Sequence, residues 1–206
     1  MPGRFILTSD IQAVADHLNA DAHVVADEPP RRNVAPGQEV VVCPPDRKLC
    51  RMRWGIIPVG RVDARGRPVM ETLINARSET VFAKSAFDGV QRCLVPTDGW
   101  YEWTGKPRHK TAWRITRATG APVVFAGIYD VWNGPGGLQL PQVATLTCAP
   151  SADVRDIHHR MGVILDRDDF ETWLTGSKDQ ATALMQSLPD GSLCVQDADD
   201  VDWNGV

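Results

Sequence analysis

Apolar and polar positions alternate with a short period through the middle of the chain and take a helical period only towards its ends. Stretches rich in β-branched and aromatic residues predict strands at Glu39–Cys43, Leu49–Ile57, Cys93–Val95, Gly99–Thr104, Thr111–Thr116, Val123–Trp132 and Gln142–Cys148. Met161–Leu165 and Leu193–Val195 add two shorter candidates. Pro58 closes the second strand, and Asn133-Gly134-Pro135-Gly136-Gly137 breaks the chain between two others. Ile11, Val14, Ala15 and Leu18 recur at helical spacing behind Ser9-Asp10-Ile11-Gln12, which reads as a capping box with Ser9 at the N-cap. Asp168–Leu174 and Asp179–Leu188 also read as helices, and Glu79–Phe87 as a short one. Pro29-Pro30-Arg31-Arg32 and the charged stretch Gly60–Arg67 read as loops.

Strands in the middle with helices at both ends give an α+β class, not a βαβ alternation. The expected architecture is a mostly antiparallel curled sheet, or partly open β-barrel, flanked by short helices. No linker composition or repeat divides the chain, so residues 1–206 read as a single domain, long enough for a large core. The net charge of −4 gives no global case for nucleic-acid binding, so any such binding needs a local basic groove. No apolar run has the length of a membrane span, and no signal-peptide pattern opens the chain. The five cysteines are odd in number and lack C-x-x-C spacing, which speaks against a disulfide framework or a zinc site and for a cytoplasmic protein.

Several segments could carry chemistry. Met1-Pro2 invites removal of the initiator methionine, which would expose the secondary amine of Pro2, a nucleophile towards aldehydes. An uninformative frayed end is the plainer reading. Asn75-Ala76-Arg77-Ser78-Glu79 is either a strand running into a capped turn or an amide and a guanidinium at a pocket mouth. Glu102 lies among aromatic residues on the same strand face as Trp100; facing solvent it is ordinary, but buried its carboxyl would rise towards a general acid. His158 and His159 are adjacent, and an extended chain would point them apart, one to a pocket and one to solvent. Trp54 is either core or a platform for a nucleobase. His109 sits in the basic stretch Lys106–Lys110, which reads as a solvated loop.

Taken in order, Asn33-Val34-Ala35-Pro36, Arg53–Pro58, Asn75–Thr80, Arg92–Pro96, Asp98–Trp103, Phe125–Ile128 and Ile157–Met161 resemble the SOS-response-associated peptidase (SRAP) family over nearly the whole chain. The resemblance implies an abasic-site sensor that acts on single-stranded DNA, a monomer without membrane or cofactor. It also implies a mechanism in which a terminal cysteine at position two attacks the ring-opened aldehyde and closes a thiazolidine. By the same resemblance Asn75 orients the sugar, Glu102 transfers a proton and His158 is acid/base. Arg4, Arg77 and Arg160 hold phosphates, Trp54 and Pro36 pack on bases, and Gly3 and Thr147 belong to the DNA side.

Two positions depart from that pattern. Gly162 stands where the family usually carries proline, and Pro2 replaces the cysteine. Pro2 keeps an amine but has no thiol. It therefore implies a reversible iminium or lyase-type outcome, binding without covalent chemistry, or an inactivated nucleophile. The rival readings are an autoprocessing peptidase and a non-catalytic DNA-binding paralogue.

Overall fold

In the computed structural model, which describes residues 2–58, 65, 72–106, 109–199 and 201–203, the strands form two sheets. In chain order they are β1 (Phe5–Leu7), β2 (Arg31–Val34), β3 (Glu39–Val42), β4 (Cys50–Trp54), β5 (Asn75–Arg77) and β6 (Gln91–Thr97). They continue with β7 (Gly99–Lys106), β8 (His109–Arg117), β9 (Val123–Asn133), β10 (Gln139–Cys148), β11 (Met161–Gly162) and β12 (Leu193–Asp197). One sheet has the order β12-β8-β7-β1-β2, and the other runs β3-β4-β10-β9-β6, with β5 and β11 also paired to β10. Short helices α1 (Ile11–Leu18), α2 (Phe170–Thr175) and α3 (Lys178–Ala183) complete an α+β fold.

The pairing is mostly antiparallel, as the alternation implied, but β10 runs parallel to both β4 and β5. The strands divide between two sheets. Arg31 and Arg32 lie in β2, not in a loop, because β1 pairs with this strand, Leu7 opposite Arg31 and Phe5 opposite Val34. The expected helix at Glu79–Phe87 is instead two single 3-10 turns, Val81–Ala83 and Ser85–Phe87. Apart from Arg65, the loop read at Gly60–Arg67 lies outside the described residues, as do Pro107 and Arg108 of the basic stretch. His109 begins β8.

Helix α1 buries Ile11, Val14, Ala15 and Leu18, the stripe its spacing predicted. Its N-cap, however, is Asp10, whose carboxylate accepts from the N–H groups of Gln12 (3.0 Å) and Ala13 (3.1 Å). Ser9 is committed elsewhere: its N–H donates to Asp98 Oδ2 at 2.9 Å, tying the end of β1 to the start of β7.

Four aromatic rings, all fully buried, join the sheets. Phe5 of β1 stacks on Trp54 of β4 at 3.9 Å, and Phe125 of β9 lies 5.3 Å from Phe5 and 5.5 Å from Trp100 of β7. Burying rings of this size stabilises the fold by about 1.5–3 kcal/mol each. Along β7 the alternation sends Trp100 into this core, while Tyr101 packs in a second cluster with Ile6, Ala112 and Ala198.

This framework determines what meets at the amino end. Phe5 pairs with Trp100, and the Tyr101 N–H donates to the Arg4 carbonyl at 3.0 Å, so the residues before Phe5 run towards Glu102. Strand β10 then pairs Thr145 with Asn75 and Thr147 with Gly162.

Candidate active site

Pro2 is buried, and its carbonyl accepts a hydrogen bond from Asn75 Nδ2 at 2.8 Å. The Asn75 amide is itself held, because the hydroxyl of buried Thr145 donates to Asn75 Oδ1 at 2.6 Å. Asn75 therefore grips the backbone of the terminal segment. Thr145 escaped the sequence reading, yet it left a signal: Thr145 and Thr147 interrupt an otherwise apolar run, Val143-Ala144-Thr145-Leu146-Thr147-Cys148. Buried hydroxyls in such a run need partners.

Glu102 is buried at 5% exposure. Of its two open readings, the buried one holds. Burial raises its carboxyl above the ordinary 4.5, while the positive charge at the amino terminus and the Trp100 side chain pull it the other way. His158 is half-buried, and burial lowers its pKa from 6.5, with the terminal positive charge and His159 adding to the shift. The same terminal charge thus bears on both Glu102 and His158. A carboxyl held towards its acid form and an imidazole held towards its base form suit opposite proton transfers.

The histidine pair does not splay apart as an extended chain would require. Residues 152–157 form turns, the His158 N–H donates to the Val154 carbonyl at 2.9 Å, and the two rings stack at 4.4 Å. His158 Nδ1 lies 3.0 Å from the Arg160 nitrogen and 3.1 Å from the Arg160 carbonyl oxygen. In the neutral tautomer whose Nδ1–H donates to that carbonyl, the lone pair of the ring is on Nε2.

The other expected site residues divide between surface and interior. Arg77 and Pro36 are exposed, and Gly3 and Arg4 half-buried. Arg4 Nε donates to Asn33 Oδ1 at 3.1 Å. Trp54 is fully buried, stacked on Phe5, with its indole N–H donating to the Ile74 carbonyl at 3.0 Å, so it is core and not a base platform. Thr147 is also fully buried, its hydroxyl donating to the Ala76 carbonyl at 3.3 Å and accepting from Arg160 at 3.2 Å. It supports Arg160 from within and does not reach the surface. Arg160 forms a two-pronged ion pair with Glu79, one prong at 2.9 Å, and its guanidinium is mostly covered. Its charge is thus already answered inside the protein, and Glu79 is held at about 2, chiefly by the hydrogen bond from Arg160.

The chain is similar to known proteins over nearly its whole length. The model of the family described as SOS response associated peptidase (SRAP) matches residues 1–200. The abasic site processing protein YoqW of Bacillus subtilis is 34% identical over 210 residues, covering 98% of this chain and 90% of the relative. The abasic site processing protein HMCES of Gallus gallus is 34% identical over 157 residues, covering 63% of this chain and 46% of the relative. A crystal structure of a protein from Bacteroides thetaiotaomicron shares the fold at a TM-score of 0.82 and 22% identity, covering 96% of this chain and 92% of that one. A phage-related protein of Bordetella bronchiseptica does so at 0.71 and 26%, covering 96% and 94%. On the match across residues 1–200 and the identity over nearly its full length, the chain belongs to the SOS response associated peptidase (SRAP) family.

Proposed function

We propose that this protein processes abasic sites in single-stranded DNA through the amine of Pro2, exposed once Met1 is removed. The observation that carries the reading is convergence at the amino end. Asn75 holds the Pro2 carbonyl at 2.8 Å, and the chain before Phe5 runs along β7 towards buried Glu102, with the Tyr101 N–H on the Arg4 carbonyl at 3.0 Å. The abasic site processing relatives supply the substrate class.

In this reading the Pro2 nitrogen adds to the aldehyde carbon of the ring-opened sugar. Glu102, kept towards its neutral form, gives the proton with which the carbinolamine oxygen leaves as water. A secondary amine then carries no N–H to lose, so the product is an iminium cation that cannot relax to a neutral imine. With no thiol at residue 2, no thiazolidine closes. The linkage is therefore reversible: water returns the aldehyde, or His158 takes the acidified proton from the neighbouring sugar carbon and the 3′-phosphate departs by β-elimination. Arg4 and exposed Arg77 supply local positive charge for the strand on a chain of net charge −4.

Protein verified by mass spectrometry to begin at Pro2 is incubated with an abasic single-stranded oligonucleotide, with and without borohydride. The expected result is a covalent adduct only with borohydride. An adduct that forms without reductant and resists heat contradicts reversibility, and no adduct under either condition contradicts the amine nucleophile.

A further inference from the structure

Gly162 is not demanded by its backbone. It lies in strand β11 opposite Thr147, and its φ is not among the positive values that favour glycine. In a strand interior a glycine costs stability and often marks a close approach. Here the requirement is space. A Cβ at Gly162 would stand 2.3 and 2.5 Å from Cε1 and Cδ1 of Phe125, and 3.3 Å from Cγ of Pro2. Phe125 has nowhere to go, being fully buried between Phe5 at 5.3 Å and Trp100 at 5.5 Å. The Phe125 ring and the Pro2 ring thus both close on the bare Cα of Gly162, while Asn75 holds the Pro2 carbonyl at 2.8 Å.

We propose that Gly162 is a positioning residue for the amino-terminal nucleophile. By carrying no side chain it admits the pyrrolidine ring of Pro2, and with ring and carbonyl both held, the direction of the Pro2 nitrogen is set. The inference rests on the reading of Pro2 as the nucleophile, and it adds a preference: the seat is shaped for a ring at residue 2. Nucleophiles displaced by fractions of an ångström lose rate steeply, which is why such a seat matters chemically.

Gly162→Ala alone would also drive a methyl into Phe125, so the test is made in a Phe125→Val background, which removes both of the Phe125 atoms that the methyl would meet. In this background Gly162→Ala is compared with residue 2 as proline and as alanine (Pro2→Ala keeps a terminal amine but has no Cγ). Borohydride trapping on abasic single-stranded DNA is expected to slow about tenfold with Pro2 and less than twofold with Pro2→Ala. Equal slowing in both overturns the proposal. A second readout is free of the chemistry: Gly162→Ala should lower Tm by about 3 °C more with Pro2 than with Pro2→Ala. If the unsubstituted protein gives no trapping at all, the nucleophile reading falls, and the melting comparison still decides the seat. An identical Tm loss in both backgrounds overturns it.

Discussion

Asn75 and Pro2 are joined side chain to backbone across 73 positions of the chain: the Asn75 amide donates to the Pro2 carbonyl at 2.8 Å. The acceptor end of the same amide is occupied by Thr145 at 2.6 Å. Only one orientation of the amide satisfies both partners. Asn75→Ala should therefore slow borohydride trapping about tenfold, since one lost positioning hydrogen bond of about 1.4 kcal/mol is worth that factor. Thr145→Val should produce a smaller loss of the same kind, because it leaves the amide in place and frees its orientation. Single-turnover trapping rates measure both. Equal rates for Asn75→Ala and the unsubstituted protein would remove Asn75 from the machinery.

Glu102 sets activity against stability. Burial raises its carboxyl above 4.5, so ionisation is harder in the folded chain than in the unfolded one. Below 4.5 the group is neutral in both states and costs nothing. As pH rises through the folded value, the stability held by the neutral form is lost. Glu102→Gln should therefore raise Tm more at pH 7.5 than at pH 4, while slowing trapping by about 10²-fold or more as the proton donor disappears. Melting curves at the two pH values, set beside trapping rates, check both halves.

Much of this arrangement could be read from the residues, and what could not has a physical cause. The stripe of α1 and the alternation of β7 are local patterns, and both were legible. Periodicity does not report which strands pair, so the two sheets and the parallel pairings of β10 were hidden. Ser9 looked like the cap until Asp98, remote in sequence, claimed its N–H. Arg160 looked like a phosphate ligand because its partner Glu79 lies 81 residues earlier in the chain. Trp54 reads first as core and second as a platform, and its full burial, its stack on Phe5 and its indole hydrogen bond make it core.

Arg160 and Glu79 give a prediction that runs against intuition. Deleting an acidic residue near a DNA site usually acts through bulk charge alone, but Glu79 also occupies the guanidinium that would meet a phosphate. Glu79→Gln should tighten binding of a single-stranded oligonucleotide and steepen its salt dependence by about 0.7 in log–log slope, one phosphate contact's worth. The cost in stability should be no more than about 1 kcal/mol, because Glu79 is half exposed and solvent screens the pair. That stability is present above 4.5 and is lost as pH falls through about 2, the value at which Arg160 holds the carboxyl. Affinities at a series of salt concentrations test the contact; an unchanged slope would leave Arg160 as a purely internal cation.

Trp54 offers the converse case. Its ring is fully buried and its N–H is spent on the Ile74 carbonyl at 3.0 Å. Trp54→Phe should therefore destabilise the fold by about 1–3 kcal/mol, through a gap beside Phe5 and the loss of one of two hydrogen bonds to the Ile74 carbonyl, which keeps the Thr145 N–H at 3.1 Å. Affinity for single-stranded DNA should be unchanged at temperatures where the variant is folded. Arg77→Ala, at an exposed position, should do the opposite: weaker binding, a salt slope shallower by about 0.7, and an unchanged Tm.

His158 connects the site to pH. Burial, the terminal positive charge and His159 lower its pKa below 6.5, so at pH 7 the ring is neutral and can take a proton. Between the folded value and 6.5 the unfolded chain binds more protons at this residue than the folded one. Stability therefore rises with pH through that window and falls as the solution is acidified through it. His17 is shifted in the same direction by its own burial, so melting data for the unsubstituted protein alone would mix the two. The difference between that protein and His158→Gln isolates His158. The same comparison serves the chemistry once each strand-cleavage rate is divided by that protein's borohydride-trapping rate, which carries the titration of the residue-2 amine. The ratio of these normalised rates should be constant around neutral pH and should decline on acidification, as protonation removes the base that takes the sugar proton. A ratio flat from pH 5 to 8 would assign the proton transfer to another group and leave His158 as a stacked partner of His159.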